Sequence, residues 1–138
     1  MRPKLKVKTT RKKGRGVFAN RKIKKGEIIE VAPVIVLSRR EAKTLNDLPL
    51  SSHCYQWGNN REKTALVLGF GCLYNHSYDP NATYRHRFEK QEIVFRALKD
   101  IRCGEEITHN YNGDPKSQAP IKFTKNSWWF VQQGKHRK

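Results

Sequence analysis

Long apolar runs, paired cysteines and internal repeats are missing from this chain of 138 residues. Without eighteen consecutive apolar residues it carries no transmembrane-helix signal. No apolar stretch follows the basic residues 1–4, so we expect no secretory signal. The three cysteines form no CxxC pair, which argues against a disulfide framework or a metal site and favours a reducing compartment. The length predicts one domain with a single core.

Acidic residues are scarce and are absent from both ends. The chain has 29 Lys or Arg against 12 Asp or Glu, a formal net charge of +17. Residues 1–25 contain no acid, and neither does the sequence after Asp114. Basic ends attract polyanions and hold them by counterion release. This predicts nucleic acid, or protein bound to nucleic acid, as a partner, and the alternative is a solvated surface that serves only solubility.

Short strand patterns separated by turns dominate the chain. A capping box at Ser38 and Glu41 predicts one short helix that ends near Asp47. Residues 12–16 are interpreted as a turn and residues 51–63 as an irregular or surface insert. Strands are predicted at residues 4–8, 17–19, 27–37, 83–88 and 92–98. Many strands and one helix predict a mainly β fold.

Three segments carry side chains suited to ligand chemistry. Gly14 and Gly16 let the backbone approach a ligand without a Cβ atom, although a plain β-turn has the same pattern. Asn75 and His76 offer hydrogen-bond donors and acceptors to a polar ligand, although a polar loop with local side-chain hydrogen bonds would also use them. Tyr111 is predicted at the end of a strand, where a tyrosine commonly serves only in packing.

Together and in this order, the segments resemble the SET-domain protein lysine methyltransferases. The matching text is GRGVFA at 14–19, KKGEII at 24–29, LGFGCLYNHSYDPNA at 68–82, IVFRALKDIRCGEEIT at 93–108 and NYNG at 110–113. The compact length resembles the bacterial, archaeal and viral members. The resemblance implies a β-clip fold of several small curved sheets with short helices and a pseudo-knotted C-terminal segment. The SET domain would span residues 1–113, and residues 114–138 would form a basic aromatic segment packed on it.

The resemblance also implies S-adenosylmethionine as the cofactor and a protein lysine as the substrate. No cysteine follows Cys103, so we expect neither the zinc module that follows the domain in many relatives nor a bound metal. We expect the aromatic tail, with Phe123, Trp128 or Trp129 as candidates, to stack on the adenine instead, unless these side chains only fill a core. The implied cofactor pocket is formed by Gly14, Arg15, Gly16, Val17, Tyr74, Asn75, His76 and Tyr111.

Three residues are expected to line the channel for the substrate lysine. Tyr111 takes the position of the family's catalytic tyrosine, where it would orient the amine without acting as the general base. His109 lies two residues earlier, where relatives often have Phe or Tyr and where the residue influences how many methyl groups are added. Tyr84 resembles another channel tyrosine, and with it a polar channel would hold a water and favour low methylation states. Tyr55 and Trp57 would contact a peptide substrate or pack within the insert.

The sequence therefore predicts a protein-lysine N-methyltransferase that acts on a basic, histone-like or otherwise chromatin- or DNA-associated protein. The alternative is an inactive module of the same fold that binds nucleic acid or chromatin through its basic ends. The intact set of Asn75, His76 and Tyr111 favours the enzyme, because a pure binding module has no physical need for it. The family allows a homodimer. We expect no membrane association, and a location in the cytoplasm or nucleoid of a prokaryote, or in a host nucleus if the protein is viral or exported.

Overall fold

The computed structural model of the protein describes residues 3–46, 48–60 and 62–121. Within these ranges the chain forms one α-helix, α1 (Arg39–Leu45), and two 3₁₀ helices, Pro49–His53 and Gly69–Cys72. The remaining elements are strands: β1 (Leu5–Thr10), β2 (Gly14–Ala19), β3 (Ile28–Leu37), β4 (Cys54–Trp57), β5 (Lys63–Val67), β6 (Asn75–His76), β7 (Ala82–Arg87), β8 (Glu92–Ala97) and β9 (Glu106–His109). The predicted mainly β architecture is confirmed.

The strands form two sheets of different size. The larger sheet is antiparallel, with the strand order β4-β5-β3-β8-β7. The smaller sheet has the order β1-β2-β9-β6, and in it the two-residue strand β6 pairs parallel with β9. Strand β9 therefore lies between a strand from the start of the chain and one from its middle, as the predicted threading of the C-terminal segment requires.

Strand β3 is one continuous strand although Pro33 stands in its middle. Its first part pairs with β8 as far as Pro33, and its second part pairs with β5 from Val34 onward. A proline lacks the backbone N–H that a ladder needs, and here it falls where β3 changes partner. The Pro33 carbonyl still accepts a hydrogen bond, from the N–H of Leu68 at 2.9 Å.

Helix α1 begins where the capping box predicted. The Ser38 hydroxyl accepts from the Glu41 N–H at 3.1 Å, and the Glu41 carboxylate accepts from the Ser38 N–H at 3.0 Å. The helix has no buried residue, so the cap supplies local stability that packing does not. In the described part of the chain, no helix is both long enough and apolar enough to cross a membrane.

Two local predictions were wrong. Gly14 and Gly16 belong to β2 and not to the preceding turn, because β1 pairs with β2 as far as the Thr10–Gly14 pair. The interval predicted as an irregular insert contains β4, which pairs along β5. Trp57 is buried there and packs edge-on against His86 and Phe88. This tryptophan is therefore part of the core and does not contact a substrate from the surface.

The hydrophobic core draws on both sheets. Val17 and Ile107 come from the smaller sheet, and Ala65 and Phe95 come from the larger one. Among the described residues, Phe95 is the largest side chain that is fully buried. Burial of this apolar surface is the main favourable contribution to folding, and it joins the two sheets into a single core.

Asn81 holds β9 with its side chain. Its Oδ1 atom accepts from the Thr108 N–H at 2.9 Å, and its Nδ2 atom donates to the Glu106 carbonyl at 2.8 Å. The side chain is 6% exposed, so both backbone groups would be left without a partner if the amide were removed. The buried Asn81 amide thus forms hydrogen bonds to β9 that a neighbouring strand would otherwise form.

Replacing Asn81 with leucine should destabilise the protein strongly. Buried polar groups left unsatisfied cost about 1–3 kcal/mol each, so we expect Asn81→Leu to lower the free energy of unfolding by roughly 3 kcal/mol in urea denaturation. Asn20 is the matched control, because its amide donates to the Pro3 carbonyl at an exposed position, and Asn20→Leu should cost less than about 1 kcal/mol. Equal losses in the two variants would contradict the role assigned to Asn81.

Candidate functional site

The pairing of β6 with β9 brings two distant polar segments into contact. Asn75 pairs with Thr108 and His76 with His109, and the Ser77 N–H extends the ladder to the His109 carbonyl at 3.1 Å. The imidazole Nδ1 of His76 then accepts from the Tyr111 N–H at 3.0 Å. A residue from the middle of the chain thereby fixes the backbone at Tyr111.

Next to this contact, the Asn75 side chain on β6 forms hydrogen bonds to β2 and to β9. Its Nδ2 atom donates to the Glu106 carboxylate at 2.7 Å and to the Arg15 carbonyl at 3.2 Å. A Cβ atom at Gly16 would lie 2.6 Å from the Glu106 carboxylate and 2.8 Å from Asn75 Nδ2. Glycine is needed at position 16 because the Asn75 and Glu106 side chains occupy the space beside it.

Two cavities meet at Tyr111. The larger has a volume of about 610 Å³ and the smaller of about 290 Å³. Tyr111 and Ile121 line both of them, so these two side chains form a shared wall. The smaller cavity is otherwise lined by Lys13, Asn75, His76, Tyr78 and Pro120. A ligand in each cavity would therefore approach the same tyrosine from a different direction.

Aromatic rings crowd the inner part of the larger cavity around His109. The ring centroid of His109 lies 5.1 Å from that of Tyr84 and 5.0 Å from that of Tyr111. Tyr55 packs edge-on against Tyr84 at 5.2 Å. No Asp, Glu, Lys or Arg lines this cavity in the described part of the chain. The described wall is thus polar through hydroxyl and imidazole groups and carries no carboxylate, ammonium or guanidinium group.

His109 is buried and neutral. Its Nε2 atom lies 2.9 Å from the Tyr55 hydroxyl, which in turn lies 2.7 Å from the Gly71 carbonyl. Because the carbonyl can only accept, Tyr55 donates to it and the proton between the two side chains belongs to His109 Nε2. His109 Nδ1 has no hydrogen-bond partner among the described residues. Burial lowers the pKa of His109 to about 4, so the ring adds polarity to the cavity without adding charge.

Tyr111 is also held in its neutral form. Its hydroxyl donates to the Tyr74 carbonyl at 2.7 Å. Burial, together with the nearby Glu106 carboxylate, raises the pKa of Tyr111 well above its usual range. A tyrosine in this state does not accept a proton from a substrate at neutral pH, but it orients a group that contacts its oxygen.

The smaller cavity offers hydrogen-bond donors and a cation. Since His76 Nδ1 accepts from the Tyr111 N–H, the proton of the neutral ring lies on Nε2, and this buried atom has no partner among the described residues. The Lys13 ammonium donates to the His76 carbonyl at 3.2 Å. Burial, with a contribution from the Lys13 charge, lowers the pKa of His76. Such a cavity suits a ligand with acceptor atoms or a carboxylate.

The structure brings six of the predicted site residues to the walls of the two cavities. Tyr84, His109 and Tyr111 line the larger cavity, and Asn75 and His76 line the smaller one. Of the remaining predicted residues, Tyr74 also lines a cavity, but it is the larger one and not the smaller. Gly14, Arg15, Gly16 and Val17 follow the β2 backbone behind Asn75, and Phe123, Trp128 and Trp129 lie outside the described residues.

Two residues near the site were missed by the sequence analysis. Lys13 was assigned only to a turn, although it lines the smaller cavity. Glu30 was assigned only to a strand, although it accepts a hydrogen bond from Tyr74. Lys13 immediately precedes the glycine segment, so its position next to a predicted ligand site was a usable signal. Among the described residues, no group of three or more His, Cys, Asp or Glu side chains is arranged to hold a metal.

Comparison with known proteins agrees with this geometry. The family model of the SET domain matches residues 14–112. The chain belongs to the SET-domain family. A curated relative from Schizosaccharomyces pombe, the histone-lysine N-methyltransferase specific for H3 lysine-37, is 30% identical over 112 residues, which cover 80% of this chain and 75% of that protein.

Solved SET-domain structures share the fold. A crystal structure from Plasmodium falciparum, described as a candidate histone methyltransferase, has a TM-score of 0.64 at 30% identity and covers 80% of this chain and 95% of its own. A chain of the ctPRC2 complex has a TM-score of 0.69 at 22% identity, with 89% of this chain and 16% of that chain covered. The second likeness shows the fold alone.

The buried state of His109 predicts a pH dependence of stability. Its pKa is lowered from 6.5 to about 4 in the folded protein, so the unfolded chain binds a proton first as the pH falls. The stability contribution is present above about pH 6.5 and is lost progressively below it. Between pH 8 and pH 5, wild type should lose about 2 kcal/mol more of its unfolding free energy than His109→Phe. Urea denaturation of both proteins across this range measures the difference, and equal pH dependence would show that position 109 does not hold a neutral histidine.

Proposed function

We propose that this SET-domain chain is a protein-lysine N-methyltransferase that uses S-adenosylmethionine. The position of Tyr111 in the wall between two cavities carries this proposal. Methyl transfer requires the amine, the methyl carbon and the sulfur to lie in line, with donor and acceptor approaching from opposite sides. The larger cavity receives the substrate lysine and the smaller cavity receives the cofactor.

The residues of the smaller cavity fit the cofactor chemically. When bound, S-adenosylmethionine supplies a methyl group on a sulfonium ion. The unpartnered donor at His76 Nε2 suits an acceptor atom of the cofactor, and the Lys13 cation suits its carboxylate. Phe123, Trp128 and Trp129 remain our candidates for covering the adenine. Ile121 supports this assignment, because it lies in the walls of both cavities and stands two residues before Phe123 in the sequence.

The larger cavity favours the neutral form of a lysine. An ammonium cannot attack a methyl group, and reaching the free amine at pH 7 from a pKa near 10.4 costs roughly 4–5 kcal/mol in water. The described wall of this cavity carries no carboxylate that would stabilise the ammonium. Desolvation without a counter-charge lowers the pKa of an amine. The cavity itself therefore promotes deprotonation, and no side chain has to serve as the general base.

Tyr111 orients the amine beside the transferring methyl group. Its hydroxyl proton is donated to the Tyr74 carbonyl at 2.7 Å, which directs the oxygen lone pairs away from that carbonyl. An oxygen fixed in this way attracts the partial positive charge of an amine N–H or of a polarised methyl group. Its contribution is geometry and electrostatics, in agreement with the raised pKa of this tyrosine.

The substrate is a protein of chromatin. The relative from Schizosaccharomyces pombe carries the name of a histone H3 methyltransferase, and the charge of this chain suits a substrate held on DNA. The β1–β2 hairpin contributes Lys6, Lys8, Arg11, Lys12 and Arg15, none of which forms an ion pair within the described residues. Lys8, Arg11, Lys12 and Arg15 are exposed, and exposed cations bind phosphates. Action in a nucleus or nucleoid follows from such a substrate, and a homodimer stays a prediction from the family.

A second function from a different class remains to be tested. An inactive SET-domain module would use the same basic hairpin to bind nucleic acid, but it would need neither cavity. Cofactor binding separates the two functions, because only the enzyme requires it. Calorimetric titration of the purified protein with S-adenosylmethionine makes this distinction before any substrate is known.

Replacing Tyr111 with phenylalanine should abolish most methyl transfer. Labelled S-adenosylmethionine is incubated with cell extract, purified histones and nucleosomes, and labelled protein bands are counted. We expect wild type to label a discrete band and Tyr111→Phe to be slower by about a hundredfold or more, because the orienting hydroxyl is lost. Cofactor affinity measured by calorimetry should stay within about threefold, since the ring remains. Absence of transfer by wild type together with absence of cofactor binding would favour the inactive module.

Tyr84 should influence how many methyl groups are added. Its ring stands 5.1 Å from His109, and a Cβ atom at Gly113 would come 3.3 Å from its hydroxyl. This polar end of the channel holds a water and favours low methylation states. In Tyr84→Phe the end becomes apolar and can accept a methylated amine in place of the water, so mass spectrometry should detect more highly methylated product. An unchanged number of methyl groups would contradict this assignment.

A further inference from the structure

Glu30 is a carboxylate that lies beneath the site without lining either cavity. One of its oxygens, Oε2, accepts from the Phe70 N–H at 2.8 Å. The other, Oε1, accepts from the Tyr74 hydroxyl at 2.9 Å. A Cβ atom at Gly69 would lie 2.5 Å from Oε2, and Gly69 has a φ of +66°. Only glycine combines this backbone conformation with room for the carboxylate. Glu30 thus forms hydrogen bonds near both ends of the segment from Gly69 to Tyr74.

The same segment accepts hydrogen bonds from two tyrosines that line the larger cavity. The Gly71 carbonyl accepts from the Tyr55 hydroxyl at 2.7 Å, and the Tyr74 carbonyl accepts from the Tyr111 hydroxyl at 2.7 Å. These two tyrosines come from β4 and from the chain after β9, which lie far apart in sequence. The orientation of both hydroxyls is therefore fixed by hydrogen bonds to carbonyls of one short segment.

We propose that Glu30 is a positioning residue, whose carboxylate fixes the Gly69–Tyr74 segment so that its carbonyls orient the hydroxyls of Tyr55 and Tyr111. The inference rests on the proposed function, because Tyr111 is the residue placed at the reacting atoms. Glu30 itself touches neither ligand. It acts through the backbone that it holds.

The chemistry of the contact requires a carboxylate. Both partners of Glu30 are donors, an N–H and an O–H, and a carboxylate accepts on two oxygens at once. A glutamine would offer one carbonyl oxygen and turn its NH₂ group toward the second donor. A one-for-one replacement by an amide therefore loses one of the two contacts while keeping the size of the side chain.

The burial of the Glu30 carboxylate lowers the stability of the folded protein. Glu30 is half-buried, and among the described residues it forms no ion pair with Lys or Arg. Burial raises its pKa, while the hydrogen bonds from Phe70 and Tyr74 oppose this. A buried carboxylate without a cation disfavours the folded state. Stability alone does not explain an acid at this position, whereas positioning of the two tyrosines does.

The kinetic test compares Glu30→Gln and Tyr74→Phe with wild type. Tyr74→Phe removes only the hydroxyl that Glu30 accepts and leaves the Tyr74 carbonyl in place. In the methyl-transfer assay we expect kcat to fall by about tenfold in each variant, since small misplacements of reacting groups are costly. The KM values for cofactor and protein substrate should change by less than about twofold. The double variant should be no slower than either single variant, because both act through one contact.

Glu92→Gln is the matched control for the loss of an acid. Glu92 lies on β8, which pairs with β3, and it forms an ion pair with Arg87 outside both cavities. Its kcat should equal that of wild type. A kcat of Glu30→Gln that matches wild type once corrected for the folded fraction would overturn the proposal. A KM increase without a kcat change would overturn it as well.

A second measurement does not depend on activity. Wild type and Glu30→Gln are labelled with ¹³C-tyrosine, and the ring signals are assigned through single Tyr→Phe variants. We expect the Tyr55 and Tyr111 signals to shift in Glu30→Gln, whereas that of Tyr78, whose hydroxyl donates to the Ala119 carbonyl, stays in place. Unchanged Tyr55 and Tyr111 signals would overturn the role of Glu30 even in an active enzyme. Shifted signals in a wild type that transfers no methyl group would instead uphold the positioning role and reject the proposed function.

Discussion

Strand β9 is held from both sides by segments that are remote in the sequence, and the site depends on this placement. Strand β2 contributes the pairs Val17–Ile107 and Phe18–Glu106, and β6 contributes only two pairs. A four-residue strand with so few ladder partners has little stability of its own. It remains in place because Ile107 is buried in the core and because the Asn81 amide satisfies two of its backbone groups. The contacts that assemble the site are therefore the same long-range contacts that close the fold.

The two cavities differ in what they offer a ligand, although they share one wall. The smaller one has an unpartnered N–H at His76 and a cation at Lys13, which suit an acceptor-rich molecule. The described wall of the larger one has hydroxyls and imidazoles but no Asp, Glu, Lys or Arg side chain. Between them stands Tyr111, whose proton is already engaged with the Tyr74 carbonyl. Under the proposed function, this difference in polarity would direct the two reactants to different sides of the same side chain.

The sequence predicted the family, the mainly β fold and the residues that surround Tyr111, because each of these is indicated by a local pattern of residues. The motif around Asn75 and His76 and the motif that ends at Tyr111 each carry a readable pattern, and their order supplied the family. The register of β4 was not accessible, because an edge strand with Tyr55 and Trp57 has no clear alternation and is defined by its pairing with β5. The strand assignment of Gly14 and Gly16 was missed for a related reason, since glycines suggest a turn unless a partner strand is known.

The role of Glu30 was inaccessible for a different reason. Its position on an apolar strand indicates only an interruption of the pattern. Its partners lie 40 and 44 residues further along, on a segment whose path the sequence does not specify. What it contacts follows from the tertiary structure alone. For Lys13 the sequence supplied part of the information. It shows that Lys13 stands next to the glycine segment, but not in which direction its side chain points.

In the proposed function the larger cavity is a channel that must favour a neutral lysine, and this requirement constrains how its own side chains are positioned. A charged group in the wall would hold the ammonium and oppose the reaction, so Tyr55, Tyr111 and His109 are fixed by neutral contacts to one another and to backbone carbonyls. Neutral hydrogen bonds are individually weak, about 0.5–1.5 kcal/mol each, and the carbonyls that receive them must not move. A carboxylate placed behind the backbone resolves this conflict, because it forms stronger bonds to the segment while its charge stays outside the cavity wall. The cost of burying Glu30 is then the consequence of keeping the channel itself uncharged.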